Sequence, residues 1–356
     1  MINLFPLARP FIHAIDPETA HNLTIKALKA GITGCLGRSE DDPILGTTVF
    51  GLDFKNPVGL AAGFDKNADA VSGCRKMGFG FTEAGTVTPK PQPGNDRPRL
   101  FRLSEDRAVI NRFGFNNAGL EYFEKQLKAL PKSSQPVGAN VGANKDADDR
   151  TADYVTGIQK LYGLSDYFTV NISSPNTPGL RALQSKAALE DLVGRVLEAR
   201  AEKIREGQAY IPILVKIAPD LQEEDITDIA SIARDTEIDG LIVSNTTIER
   251  PESLKSLQKV EAGGLSGAPL MVPSTKVLSD VYRATGGDVP LIGVGGIASG
   301  ADAFAKIKAG ASLVQVYSML VYEGPALVEK IKRELTVLLK NEGFKSVSDA
   351  VGANHR

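Results

Sequence analysis

Eight short apolar runs, bounded by glycine or proline and separated by longer amphipathic stretches, constrain this chain more than any other feature. They are N-P-V-G-L-A-A (56–62), F-G-F-T-E-A-G-T (79–86), P-V-G-A-N-V-G (136–142), Y-F-T-V-N-I-S-S (167–174), P-I-L-V-K-I-A (212–218), G-L-I-V-S-N-T (240–246), P-L-I-G-V-G-G (290–296) and L-V-Q-V-Y-S-M (313–319). Continuous apolar character over this length marks strands buried on both faces, as in parallel sheets covered by helices. Helical candidates lie between them at 189–205, 223–235, 274–285 and 301–309. Eight strand-helix units predict an α/β fold, a (β/α)8 TIM barrel; a doubly wound sheet usually has fewer strands and opens on a G-x-G-x-x-G turn.

Two segments interrupt the alternation. Residues 97–112, R-P-R-L-F-R-L-S-E-D-R-A-V-I-N-R, alternate like a hairpin around 104–106 and are expected as an insertion on one barrel face. Residues 47–55 read as a short hairpin plugging the barrel bottom. The first 40 residues form a helical extension: Leu4, Phe5, Ala8, Phe11, Ile12 and Ile15 recur at helical spacing. Asp16 can cap a second helix that starts at Pro17 and carries Ala20, Leu23, Ala27 and Ala30 on one face. Arg9, Lys26, Lys29 and Arg38 are interspersed. Periodicity leaves open whether these helices pack on the barrel or lie in a membrane interface.

Composition closes off several chemistries. With 42% hydrophobic and 24% charged residues the chain is globular, and a net charge of -2 with mixed signs builds no field for nucleic acid. His13, His21 and His355 are the only histidines and all lie near the termini, which speaks against a Ser-His-Asp hydrolase or a histidine-rich zinc site. Cys35 and Cys74 fit no metal or disulfide spacing and are expected as packing residues. No metal is expected.

Barrel enzymes place their chemistry at the C-terminal strand ends. Those ends here carry amides, hydroxyls and lysines, a set suited to a flat, carbonyl-rich ligand. The glycine-rich segments G-G-L-S-G (263–267) and G-V-G-G-I-A-S-G (293–300) can cradle a phosphate or be plain turns; the second ends strand seven, where this fold binds phosphate. Phosphate plus a carbonyl-rich ring suggests flavin mononucleotide (FMN). Lys66 and Lys216 follow apolar strand residues, and Lys216 sits between apolar neighbours, so each is expected to meet an anion or carbonyl rather than solvent. A barrel with glycine loops also suits a phosphosugar lyase or isomerase, or a silent barrel that binds membranes through its first helices.

Taken in order, D-P-E-T-A-H (from 16), N-P-V-G-L-A-A-G-F-D-K, I-N-R-F-G-F-N-N (110–117), N-I-S-S-P-N-T-P-G-L-R, V-K-I-A-P-D, S-N-T-T, G-G-L-S-G, I-G-V-G-G-I and V-Q-V-Y-S closely resemble the class 2, quinone-dependent dihydroorotate dehydrogenases. The resemblance covers nearly the whole chain. It implies that dihydroorotate is oxidised to orotate in de novo pyrimidine (UMP) biosynthesis, with a hydride leaving C6 for flavin N5 and a proton leaving C5 for Ser174. Class 1 relatives carry a cysteine at that place. Thr177 and a water are expected to relay the proton.

The resemblance further implies that Lys66 contacts the orotate carboxylate, and that Asn111, Asn171, Asn176, Asn245 and Thr246 hold the pyrimidine ring. Arg112, Phe113, Gly114 and Phe115 flank it. Ala62, Gly63, Phe64, Asp65, Lys66, Thr86, Asn140, Asn171, Lys216, Ser244, Gly267, Gly296, Tyr317 and Ser318 match FMN-binding positions, with Gly296, Tyr317 and Ser318 nearest the phosphate. His21, Arg102 and Tyr317 match positions lining a tunnel for ubiquinone or menaquinone, flanked by Leu4, Phe11 and Ile15. The expected division is 1–40 as tunnel and membrane-associating helices, 41–340 as FMN-binding barrel and 341–356 as tail. The expected location is the cytoplasmic side of a bacterial inner membrane, as a peripheral monomer.

Overall fold

In the computed structural model the eight apolar runs become eight parallel strands closed in chain order: β1 Val58–Leu60, β2 Phe81–Val87, β3 Val137–Val141, β4 Tyr167–Asn171, β5 Ile213–Ile217, β6 Gly240–Val243, β7 Leu291–Val294 and β8 Ala311–Val316. β8 pairs back onto β1 at Val314 and Val58. The structure describes residues 2–3, 5–33, 35–36 and 40–356; Leu4 and Arg38 lie outside the described residues, as does the side chain of Cys35. Cys74 is buried, as expected. Helices cover the sheet from outside, including Lys186–Arg205, Glu223–Asp235, Met271–Ala284, Gly300–Lys308 and Leu327–Asn341.

The barrel interior is packed in layers, so glycine on one strand answers an aromatic on the next. A Cβ on Gly59 would stand 2.2 Å from the Phe81 ring, and one on Gly138 would stand 2.2 Å from the Tyr167 ring. These rings, with Leu214, Ile242, Ile292 and Leu313, pack on Val49 and Phe54 of the hairpin Thr47–Val49/Leu52–Phe54. That hairpin closes the bottom as the sequence predicts, and the top is left for chemistry.

The insertion forms Leu100–Leu103 paired with Ala108–Asn111 around a turn at Ser104–Asp106. A third strand, Gly264–Gly267, joins it with Gly264 opposite Asn111. Much of the G-G-L-S-G segment is therefore strand rather than loop or turn, and Gly267 at its end borders the cavity. Its glycines are needed for close approach: a Cβ on Gly263 would lie 2.3 Å from the Asn111 carbonyl oxygen.

Helix α1 spans Phe5–Ala14 and α2 spans Pro17–Lys29, with Asp16 accepting the Thr19 N–H at 2.8 Å as the cap. Glu18, Ala20 and Leu28 are the buried residues of α2, whereas Leu23 is 52% exposed and Ala30 lies outside. The expected face thus splits: Ala20 is buried and Ala27 lines the cavity described below, whereas Leu23 and Ala30 are exposed. An ion pair decides it: Glu18 turns inward to meet Arg99 at 2.8 Å and Arg97 at 2.9 Å. No described residue of α1 is fully buried, and Leu7 and Phe11 are 75% and 78% exposed. The segment expected as a tail packs: the ring of His355 stacks on Tyr282 at 5.0 Å, beyond the helical turn Val347–Ala350.

Candidate active site

A cavity of about 440 Å³ runs from the C-terminal strand ends to a mouth between α1 and α2. Its polar end is organised from below. Glu83, a carboxylate in the middle of buried β2, accepts from Asn140 Nδ2 at 2.7 Å, Gln315 Nε2 at 2.8 Å and the Tyr167 hydroxyl at 3.1 Å. With its amide nitrogen so engaged, Asn140 presents Oδ1 to the Thr86 hydroxyl, and Thr86 Oγ1 accepts from Asn171 Nδ2 at 2.9 Å. Asn171 Oδ1 then accepts from Ser173 Oγ at 3.1 Å, and Ser173 Oγ accepts from Asn245 Nδ2 at 3.0 Å. A carboxylate can only accept here, so it fixes the orientation of every amide and hydroxyl up the chain.

Above this chain, Asn176 Nδ2 donates to Asn111 Oδ1 at 3.1 Å, and Asn95 Nδ2 holds the Asn176 carbonyl at 3.1 Å. Ser174 Oγ accepts the Asn176 N–H at 3.3 Å and borders the cavity, whereas Ser173 is spent within the network. The two neighbouring serines are therefore distinct.

Two lysines face the same space. Lys66 Nζ donates to the Gly63 carbonyl at 2.8 Å and lies 4.2 Å from the Phe113 ring centroid. It borders the cavity yet sits deep among protein atoms, and burial lowers its pKa to about 8 against the pull of Glu18 and Asp65. Lys216 is buried; desolvation lowers its pKa too, with Glu83 acting the other way.

At the other side of the polar end, Gly267, Gly295 and Gly296 take φ of 96°, 114° and 76°. A Cβ on Gly296 would lie 2.5 Å from the Met271 backbone nitrogen, and one on Gly295 would lie 2.7 Å from Ser274 Oγ. Their missing side chains bring the start of the helix Met271–Ala284 against the cavity, next to Ser318, whose hydroxyl donates to Ser266 Oγ at 2.7 Å. Backbone glycines, a helix start and a hydroxyl form a cradle that fits a phosphate, and buried Lys216 fits the anionic edge of a flavin ring.

Toward the mouth the lining turns apolar: Phe5, Ala8, Ile12, Leu28, Ile32 and Leu100. His21 stands edge-on to Phe64 at 5.5 Å, and Phe64 edge-on to Tyr317 at 5.6 Å, so three rings lead inward. Burial, with the nearby Lys66 charge, lowers the His21 pKa to about 3, which keeps it neutral. Arg102 Nη1 donates to the His13 carbonyl at 3.0 Å, and its buried Nε has no partner.

Of the residues expected at the site, Ala62, Gly63, Phe64, Lys66, Thr86, Asn111, Phe113, Gly114, Phe115, Asn171, Ser174, Asn176, Lys216, Ser244, Asn245, Thr246, Gly267, Gly296, Tyr317, Ser318, His21 and Arg102 line this cavity. Four do not. The Asp65 carboxylate caps its own loop, accepting from the Asp69 and Ala70 N–H groups at 2.9 and 2.7 Å. Arg112 turns away to Glu261 at 2.7 Å. Asn140 lies one layer below the cavity, and Thr177 is buried with an unpartnered hydroxyl. Phe11 and Ile15 face outward rather than into the mouth. Glu83 and Gln315 were not anticipated, although a carboxylate inside an apolar strand was the visible signal for the first.

The family model described as dihydroorotate dehydrogenase matches residues 44–339. A dihydroorotate dehydrogenase (quinone) from Parvibaculum lavamentivorans is 57% identical over 353 residues, covering 99% of each chain. One from Azorhizobium caulinodans is 53% identical over 357 residues, covering 100% of each. A crystal structure of DHODH from Eimeria tenella in complex with ferulenol matches with a TM-score of 0.92 at 44% identity, covering 96% of both chains.

Proposed function

Since the chain belongs to the dihydroorotate dehydrogenase family, we propose that it oxidises dihydroorotate to orotate in pyrimidine synthesis and delivers the electrons to a quinone. One observation carries this reading: a single cavity has a polar end of amides, hydroxyls and lysines and an apolar mouth between α1 and α2. A charged pyrimidine and a lipid-soluble acceptor call for those opposite linings in one continuous space.

The family is flavin-dependent, and FMN is the form these residues fit. Gly267, Gly296, Tyr317 and Ser318 would hold its phosphate end, and Ala62, Gly63, Thr86, Asn171 and Ser244 its ring. Held there, FMN would supply the redox chemistry, a two-electron acceptor for the C6 hydride of dihydroorotate and a donor to quinone. Lys216 places its positive charge where the flavin ring acquires negative charge. Lys66 holds the substrate carboxylate, and Asn111, Asn171, Asn176 and Asn245, with Thr246, meet the alternating N–H and C=O groups of the ring.

Ser174 Oγ takes the proton from C5 and releases its own hydroxyl proton outward. Thr177, three residues on, has a buried hydroxyl with no partner, and it is the group we assign to that relay through a water. Asp65, Asn140 and Arg112 act from behind the cavity wall, by holding the loop, Thr86 and the insertion.

His21, Arg102 and Tyr317 line the quinone path, for ubiquinone or menaquinone. The exposed Leu7, Phe11, Ile15 and Leu23 support docking of α1 and α2 in the interface of a bacterial inner membrane, on its cytoplasmic side. No helix among the described residues is long and apolar enough to cross a membrane.

The test is spectroscopic. The purified protein should be yellow, bleach anaerobically with dihydroorotate and recover its colour with quinone. A colourless protein that cannot be reconstituted with FMN would refute the reading.

A further inference from the structure

Lys306, in the helix Gly300–Lys308, is fully buried. Its partners are hydroxyls: Nζ donates to Ser274 Oγ at 2.8 Å and to Thr275 Oγ1 at 3.0 Å. Both hydroxyls lie at the start of Met271–Ala284, and both pass the interaction to the backbone where that helix begins. Ser274 donates to the Leu270 carbonyl at 2.6 Å with the Gly295 carbonyl 3.3 Å away, and Thr275 donates to the Met271 carbonyl at 2.7 Å. The Lys306 stem also runs along β7, where a Cβ on Gly293 would lie 3.1 Å from its Cδ. The attracting charge on its own helix, Asp302, is already engaged by Ser299 Oγ at 2.8 Å and the Ala298 N–H at 2.9 Å. Burial holds the ammonium pKa down to about 7, as it does where no strong counter-charge offsets desolvation.

A buried ammonium held by two neutral hydroxyls is costly, and an apolar side chain would fill that space more favourably. Its position resolves the problem: it stands behind the helix turn that Gly295 and Gly296 admit to the cavity. We propose that Lys306 is a positioning residue for a phosphate monoester, clamping the first turn of Met271–Ala284 against Gly295 and Gly296 and supplying positive potential behind the cradle without touching the ligand. This rests on the reading that the flavin phosphate binds at that cradle.

The experiment compares, at a pH below 7 where the ammonium carries its charge, the apoprotein's affinity for FMN and for riboflavin, which lacks the phosphate, by quenching of flavin fluorescence. Lys306→Met should weaken FMN about tenfold while leaving riboflavin nearly unchanged, because a lost charge acts only on the charged ligand. Ser274→Ala, which removes one link of the clamp and keeps the charge, should lower the FMN preference by a smaller factor. An equal loss for both flavins marks a merely structural lysine and overturns the proposal, as does no loss for either. Should Lys306→Met fail to fold, Ser274→Ala decides, and an undiminished preference in that variant overturns the proposal. A wild-type protein that binds FMN no better than riboflavin would instead sink the cradle assignment on which the proposal stands.

Discussion

Replacing Glu18 with alanine should loosen α2 from the barrel and stop quinone reduction while dihydroorotate still bleaches the flavin. Glu18 is buried against an equally buried Arg99, whose Nη2 and Nε lie 2.8 and 3.1 Å from its oxygens, with Arg97 at 2.9 Å. Removing one partner of a buried pair costs about 3–5 kcal/mol. Arg99 would keep the Pro93 and Asn95 carbonyls at 2.7 and 2.8 Å, so the lower end, about 3 kcal/mol, is the expected loss. A second ion pair of α2, Lys29 to Asp69 at 2.6 Å, has a half-exposed lysine and supplies under about 1 kcal/mol. A loss of about 3 kcal/mol moves the docking equilibrium of α2 by about two orders of magnitude. Burial works to raise the Glu18 pKa, but the Arg99 and Arg97 guanidiniums outweigh it and the carboxyl sits below its ordinary 4.5. The stability it contributes is therefore complete above that value and lost as pH falls through the lowered one. Stopped-flow measurement of the two half-reactions separates the outcomes. A Glu18→Ala enzyme that reduces quinone at the wild-type rate would refute the claim that this pair holds the tunnel together.

Four further outcomes follow from the site and the exposed face of α1. With its pKa lowered to about 8, Lys66 loses its charge as pH rises through that value rather than near 10.5. The kcat/KM for dihydroorotate should accordingly fall above pH 8, and the same limb should vanish from the pH profile of Lys66→Met. Ser174→Ala should slow anaerobic flavin reduction by about 100-fold or more. Ser173→Ala, which strips a hydroxyl from Asn171 and Asn245, should instead raise KM by about tenfold. Exchanging the exposed Leu7 and Phe11 for serine removes two side chains each worth about 1.5–3 kcal/mol on full burial, so vesicle co-sedimentation should drop at least tenfold with flavin content unchanged.

What could be read from the sequence follows from how each signal arises. Strands of a helix-covered barrel are buried on both faces, so they print as unbroken apolar runs, and all eight stood out. Asp16 before Pro17 marked the start of α2 because a cap and an N1 proline are local chemistry. The strand Gly264–Gly267 stayed hidden because its glycines serve close approach to Thr246 and Arg107, a demand set by neighbours elsewhere in the sequence. At the strand ends the sequence displayed polar residues without saying which of two neighbours faces inward. Asp65 beside Lys66 and Arg112 beside Asn111 are cases where adjacent side chains part, one to the cavity and one to the scaffold.

Charges set among apolar neighbours were a strong clue, drawn on for Lys216 and left unused for two others. Glu83 in F-T-E-A-G and Lys306 in F-A-K-I-K both interrupt sequences that otherwise read as core. Burying either is unfavourable without partners, and each proves to be organised: Glu83 orients the amide chain, and Lys306 grips the helix turn beside Gly295. Neither lines the cavity. Lys216, the third such charge, does line it. The three therefore sort by depth: the one that reaches the cavity stands where a ligand can be met, and the two behind the wall hold in place the backbone and side chains that line it.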